Sequence, residues 1–169
     1  TINNPPILQI ESINAVQPTC YGESNGQITV GAKGGVINPG NTELYNYQWQ
    51  YIVDNNPTTL SFTGKTATGL AAGDYVITIT DGARSSISVS YNLPEPRQFN
   101  VTAQTSDISC KGDLSGSVSL SYNHRSGDLL TIDGMEMEDM HYNNLAAGSH
   151  LIRVEDANGC AEELEVTIL

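Results

Sequence analysis

The chain repeats itself, and that repetition constrains its fold more than any other feature. Cys20-Tyr21-Gly22-Glu23-Ser24-Asn25-Gly26-Gln27-Ile28-Thr29-Val30 aligns with Cys110-Lys111-Gly112-Asp113-Leu114-Ser115-Gly116-Ser117-Val118-Ser119-Leu120 at an offset of 90 residues. Further on, Leu70-Ala71-Ala72-Gly73-Asp74-Tyr75 and its following run to Asp81 align with Leu145-Ala146-Ala147-Gly148-Ser149-His150 and its run to Asp156, at an offset of 75. The shared patterns are C-x-G-x-x-x-G before one alternating run and L-A-A-G before another. Self-similarity on this scale makes one copy, rather than the whole chain, the unit to be folded. The offsets differ by 15 residues, so the first copy carries the longer middle. The copies meet at Leu93-Pro94-Glu95-Pro96, where two prolines fix φ and remove hydrogen-bond donors, giving a short, stiff connector. The expected domains are therefore residues 1–94 and 95–169.

Within each copy the apolar residues recur with a period of two. Gln27-Ile28-Thr29-Val30, Tyr75 to Thr80, Ser86 to Tyr91, Ser117 to Leu120 and Leu151 to Glu155 all alternate polar with apolar. That period places one face of a strand on a core and the other in water. Gly, Asn, Asp and Pro separate the runs at turn-like intervals, and no stripe of period 3.6 stands out. The expectation is an all-β chain. Each copy has about 75–95 residues and about seven short strands, the proportions of an immunoglobulin-like antiparallel β-sandwich. Tyr75, at the head of a strand, stands where such sandwiches place a corner tyrosine; the second copy has His150 there.

Charge excludes some partners. The chain holds 19 acids against 7 bases, a formal net charge of −12, too few cations to neutralise a phosphate backbone, so nucleic acid is not an expected partner. The imbalance is uneven: residues 1–95 hold 7 acids and 3 bases, residues 96–169 hold 12 acids and 4 bases. No run of 18 apolar residues is present, so membrane insertion is not expected. The sequence begins at Thr1 rather than Met and reads as a piece of a processed or longer protein.

The pattern C-x-G-x-x-x-G-x-I/V-x-V, an aromatic run such as Leu44-Tyr45-Asn46-Tyr47-Gln48-Trp49, then L-x-A-G-x-Y and a closing D-A-N-G-C resembles the SprB-type repeat. That repeat occurs in tandem in very large surface proteins of Bacteroidota, gliding-motility adhesins among them. The first copy resembles it through Cys20, Gly22, Gly26, Tyr47, Trp49, Leu70, Gly73, Tyr75 and Asp81. The second does so through Cys110, Gly112, Gly116, Leu145, Gly148 and Asp156-Ala157-Asn158-Gly159-Cys160. The two copies depart in complementary ways. Ser85 stands in the first where Cys160 stands in the second, and Leu129-Leu130-Thr131-Ile132 replaces the Tyr-x-Trp element. The resemblance implies a non-enzymatic, extracellular, cell-surface segment that serves as structural stalk or adhesive module, with neighbouring repeats as its first partners.

Aligning the copies pairs Cys110 with Cys160 across the second, a bridge worth roughly 4 kcal/mol on chain-entropy grounds, and leaves Cys20 as a buried free thiol. Three reduced cysteines in a reducing compartment are the alternative.

Catalytic chemistry finds little support. There is no G-x-S-x-G elbow, and His124, His141 and His150 form no H-E-x-x-H unit. Calcium has weak candidates in Asp81, Asp156 and Asn158, but a spaced run of oxygens closed by a Glu is missing. The simpler reading is an Asp that caps a turn while Gly takes positive φ. The acidic run Met135-Glu136-Met137-Glu138-Asp139-Met140 reads as a solvated loop or a loose divalent-ion binder. Tyr45, Tyr47, Trp49 and Tyr51 share one strand face. They form either a core around Trp49 or a platform for sugar rings, with Tyr45 and Tyr51 as the possible ligand contacts. The polar extension of the first copy, with Gly40-Asn41-Thr42 and Asp54-Asn55-Asn56-Pro57, reads as recognition loops. A glycan- or calcium-dependent binding module, or a self-assembling subunit pairing like chains through edge strands, is thus the second functional reading.

Overall fold

The computed structural model describes residues 4–38, 40 and 43–169. The period-two pattern is realised as strands, and there is no helix among the described residues. The chain forms two compact units, Thr1–Pro96 and Arg97–Leu169, a boundary two residues beyond the expected one.

The first unit contains β1 (Gln9–Val16), β2 (Gly26–Lys33), β3 (Asn46–Val53), β4 (Asn56–Leu60), β5 (Thr66–Leu70), β6 (Gly73–Thr80) and β7 (Ser86–Leu93). They form two antiparallel sheets, in the orders β1-β2-β5 and β4-β3-β6-β7. Inward residues of both sheets make one core: Ile28 and Val30 from one, and Tyr47, Trp49, Tyr75, Ile77, Ile79 and Leu93 from the other. This is the immunoglobulin-like sandwich, with its fourth strand paired to the third rather than to the fifth.

The second unit repeats the plan. Its strands are β8 (Thr102–Ser106), β9 (Gly116–Ser121), β10 (Leu129–Ile132), β11 (Met135–Glu136), β12 (His141–Leu145), β13 (Gly148–Glu155) and β14 (Ala161–Ile168). The sheet orders, β8-β9-β12 and β11-β10-β13-β14, match those of the first unit strand for strand. Leu130 and Ile132 take the core places of Tyr47 and Trp49, as their pairing to Val154 and Ile152 shows against Tyr47–Ile79 and Trp49–Ile77.

The difference in length falls in two places, the connection from the second to the third strand and the hairpin that follows. β3 and β4 have 8 and 5 residues, whereas β10 and β11 have 4 and 2. Asp54-Asn55-Asn56-Pro57 is therefore not a long recognition loop. Asp54 and Asn55, both at positive φ (49° and 62°), make a tight two-residue turn and Asn56 already opens β4, the geometry that right-twisted hairpins favour. Asn41 and Thr42 lie outside the described residues, and Gly40 is exposed. The acidic methionine run is likewise not all loop. Met135 and Glu136 pair with Ile132 and Thr131, and Met137 is buried in the core.

The second glycine of the C-x-G-x-x-x-G pattern marks a close approach. A Cβ on Gly26 would lie 2.8 Å from the Leu70 carbonyl oxygen and 2.8 Å from Leu93 Cδ2; one on Gly116 would lie 2.8 Å from the Leu145 carbonyl oxygen and 2.7 Å from Ile168 Cγ2. The same strand ends meet in both units, at a spacing only a bare backbone allows.

One irregularity has no counterpart. β1 pairs with β2 through Ile10–Ala32 and Ser12–Gly31, leaving Glu11 as an extra, bulged residue. The matching pair β8–β9 ends at Thr102–Ser121, the equivalent of Ser12–Gly31, so β8 stops short of the place where β1 bulges. A bulge twists the strand and re-aims the side chain it carries.

Candidate functional site

The aromatic row is core, not platform. Trp49 is fully buried, with Nε1–H donating to the Gly64 carbonyl at 2.9 Å and its ring edge-on to Phe62. Tyr45 is buried, and its hydroxyl donates to the Gly34 carbonyl at 2.8 Å. Tyr51 is half-buried against the core, donating to the Ala72 carbonyl at 3.1 Å and tilted on Tyr75 at 5.0 Å between ring centres. Alternation on β3 turns all of these rings inward, so none offers an open face for a sugar to stack on.

Tyr75 makes the corner bond, donating to the Ala71 carbonyl at 2.7 Å. Burial and neighbouring Tyr51 push its phenol up to about 12. His150 reproduces the bond in the second unit: Nε2 lies 3.0 Å from the Ala146 carbonyl, and Nδ1 lies 2.7 Å from Asp133 Oδ2. A side chain that sequence set apart from its tyrosine counterpart thus does the same work with a charge added.

Asp81 and Asp156 cap matching turns. Asp81 is buried and accepts from the backbone N–H groups of Val36 (3.0 Å), Ser85 (2.8 Å) and Ala83 (2.9 Å). These bonds, that from Val36 foremost, hold its carboxyl below the usual range. Asp156 accepts from the backbone N–H groups of Asn158 (2.9 Å) and Cys160 (3.1 Å), and Asn158 is exposed. These oxygens face N–H donors, which is the arrangement of a capped turn rather than a cation cage. The residue at positive φ is Gly159 (83°) in the second unit but Arg84 (68°), not Gly82, in the first. Gly82 is needed for another reason: its Cβ would lie 2.9 Å from the Val36 carbonyl oxygen.

The expected cysteine pairing is corrected. Cys110 is a free thiol facing solvent from a turn closed by the Asp113 N–H on its own carbonyl at 3.0 Å. Cys160 is buried and disulfide-bonded, and Cys20 is also disulfide-bonded rather than a free thiol. The repeat alignment located the cysteines but could not see which way each side chain turns.

The concave feature that gathers unassigned polar groups is a groove of about 310 Å³ in the first unit, lined by Glu11, Gly31, Glu43, Leu44, Tyr47 and Lys65, with Tyr45 in its wall. β1 supplies Glu11 through its bulge, β2 supplies Gly31, and Lys65 directly precedes β5. A Cβ on Gly31 would stand 2.6 Å from Ser12 Oγ, so a bare residue is what lets β2 pass the bulge. Burial and the Glu43 carboxylate push the Tyr47 phenol up to about 12, so it stays protonated.

Residues 12–51 match the SprB repeat. The matched stretch runs from within β1 through most of β3, so it begins just after Glu11 and covers the close approach at Gly26 and the Tyr47–Trp49 core. No curated protein matches the chain in sequence. Among solved structures, the chain is similar to a Dscam isoform-specificity structure (TM-score 0.34, 10% identity, covering 93% of this chain and 46% of that one). It is also similar to murine CEACAM1b (TM-score 0.36, 11% identity, 96% and 99%). A third is the Dpr2 Ig1-Ig2 complex with DIP-Theta Ig1-Ig3 (TM-score 0.31, 8% identity, 94% and 65%). The assignment of the SprB-bearing unit as an immunoglobulin-like sandwich rests on its own strand order.

Proposed function

We propose that this chain is a non-enzymatic, adhesin-type segment of a cell-surface protein, in which tandem β-sandwiches act as structural spacers and as a display for adhesive contacts. The carrying observation is the duplication: an SprB-matching unit is followed, across a proline connector, by a second unit with the same strand order. Repetition of a rigid module sets reach and spacing, which is what a stalk requires. The buried or perturbed carboxylates support a non-catalytic reading. Asp81 caps a turn, Asp128 pairs with Arg97, and Asp133 holds His150 and the Leu151 N–H. Each has a folding partner, and no cofactor enters this reading.

The experiment is antibody labelling of intact source cells, followed by mild protease shaving. Labelling without permeabilisation, and release of the epitope by protease, are the expected results. Labelling only after permeabilisation would sink the proposal.

A further inference from the structure

We infer that the groove beside the β1 bulge binds one hexose unit of a neutral glycan, held by Glu11, Glu43, Tyr47 and Lys65. The inference gives the adhesive reading its ligand and rests on that reading only for biological purpose.

Charge distribution is the first argument. Residues 1–95 carry only ten charged side chains, and three of them line this groove. None of the three takes part in the ion pairs among the described residues, which all lie in the second unit. Three charges left unpaired around one concavity are polar groups without a structural task.

Tyr47 is the second argument. It is only 8% exposed, yet its hydroxyl has no hydrogen-bond partner among the described residues. Among the described residues no fully buried side-chain nitrogen or oxygen is left unsatisfied, so this oxygen reaches solvent, and Tyr47 lines the groove. A phenol more than nine-tenths buried whose free end opens on a concavity is poised for a ligand.

Backbone irregularity is the third. The β8–β9 pairing stops before the position at which Glu11 bulges out of β1, and Leu130 occupies the place of Tyr47 there. The second unit has a groove of about 300 Å³ in the matching place, with Leu130 and Met140 where the first has Tyr47 and Lys65, so folding does not require these polar side chains.

The chemistry selects a polyol. Carboxylates accept, an ammonium donates, and a phenol does both, the mixture that satisfies adjacent hydroxyls of a sugar ring. Half-exposed Leu44 offers apolar contact to ring C–H groups. Two acids against one lysine disfavour anionic sugars, while Lys65 offsets part of the attraction the acids exert on a cationic side chain. A volume of about 310 Å³ sits at the small end of ligand pockets, which fits a single ring.

The test titrates the ¹⁵N-labelled 169-residue chain with methyl α-D-mannopyranoside, methyl β-D-glucopyranoside and methyl β-D-galactopyranoside. Sialyllactose and tetralysine form two further arms. At least one hexoside should shift the amides of Glu11, Gly31, Leu44, Tyr47 and Lys65, with the weak affinity of a single ring in a shallow site. Tyr47→Phe and Lys65→Ala should each weaken it roughly tenfold, the loss of one good hydrogen bond. Glu11→Gln and Lys65→Ala alter exposed side chains and carry the test if Tyr47→Phe does not fold. The inference is overturned if no hexoside moves these amides, if sialyllactose or tetralysine binds more tightly than every hexoside, or if the folded variants bind like the parent chain. Solution binding does not depend on cellular location, so this experiment and the labelling experiment fail separately.

Discussion

His150 sits between two groups that can only accept. The Ala146 carbonyl faces one ring nitrogen and the Asp133 carboxylate the other, an arrangement that favours a ring protonated at both nitrogens. The bonds to Asp133 and Ala146 raise its pKa above the ordinary histidine value, and His150, with the Leu151 N–H, lowers that of Asp133. For the raised histidine, the stabilisation is complete below its unfolded value of about 6.5 and is lost as pH climbs through the folded value. For the lowered carboxylate, it is present above the unfolded value and lost as pH falls through the folded one. Urea midpoints should therefore decline on the alkaline side of neutrality, and His150→Tyr, which restores a phenol to the Ala146 carbonyl, should flatten that decline. A decline of unchanged size in the variant would remove His150 as the cause. The histidine's place in the repeat was readable from sequence; Asp133 was not, because the two meet only when the β10–β11 turn folds beside β13. Cys110 provides a second check at this scale. Iodoacetamide should modify that thiol alone in the folded, unreduced chain, with Cys20 and Cys160 reacting only after reduction; label on Cys160 before reduction would contradict the structure.

At the scale of elements, alternation foretold strands well because a half-buried strand writes its two faces directly into the sequence. β2, β6, β7, β9 and β13 all cover runs that alternate visibly. The short edge strand β11 was not legible, since two paired residues carry no period. The capped turns were legible only in part. The Asp at each start was, whereas the Val36 N–H that completes the set at Asp81 comes from a loop 45 residues away. The groove was still less so: its bulge depends on a register shift, and Glu11 in sequence is one acid among many. The β6–β7 turn also carries a stored cost. Arg84 occupies at φ 68° the position that Gly159 holds in the second unit, and a side chain there crowds its own carbonyl. Arg84→Gly should raise the stability of the first unit by about 0.5–1 kcal/mol, net of the entropy glycine adds to the unfolded chain. A lower urea midpoint would show that the arginine side chain contributes more than its backbone loses.

Over the whole molecule, each unit has a core of its own, so damage to one should be read out in one. Trp49→Ala empties a fully buried site and should cost about 3–5 kcal/mol, lowering one calorimetric transition. Arg97, stacked on Phe99 at 4.2 Å and bidentate to Asp128 at 2.9 and 2.7 Å, ties the residue after the proline connector into the second unit. Arg97→Ala leaves the Asp128 carboxylate buried without its cation and should cost on the order of 3 kcal/mol, lowering the other transition. A single transition that moves with both changes would mean that the units do not melt separately. The net charge of −12 resolves the same way. The second unit carries most of the acids and all of the ion pairs found among the described residues, while three of the first unit's ten charges line one groove.

The near-contact at Gly26, mirrored at Gly116, bears on descent. Once a module has been copied, drift can recast its aromatics as aliphatics, its corner tyrosine as histidine and its edge serines as glutamates. It cannot place even a methyl group where these strand ends cross without parting them. In lineages that multiply this module, those glycines should outlast every residue a partner could touch, and a copy that has lost one should be on its way to becoming a pseudomodule.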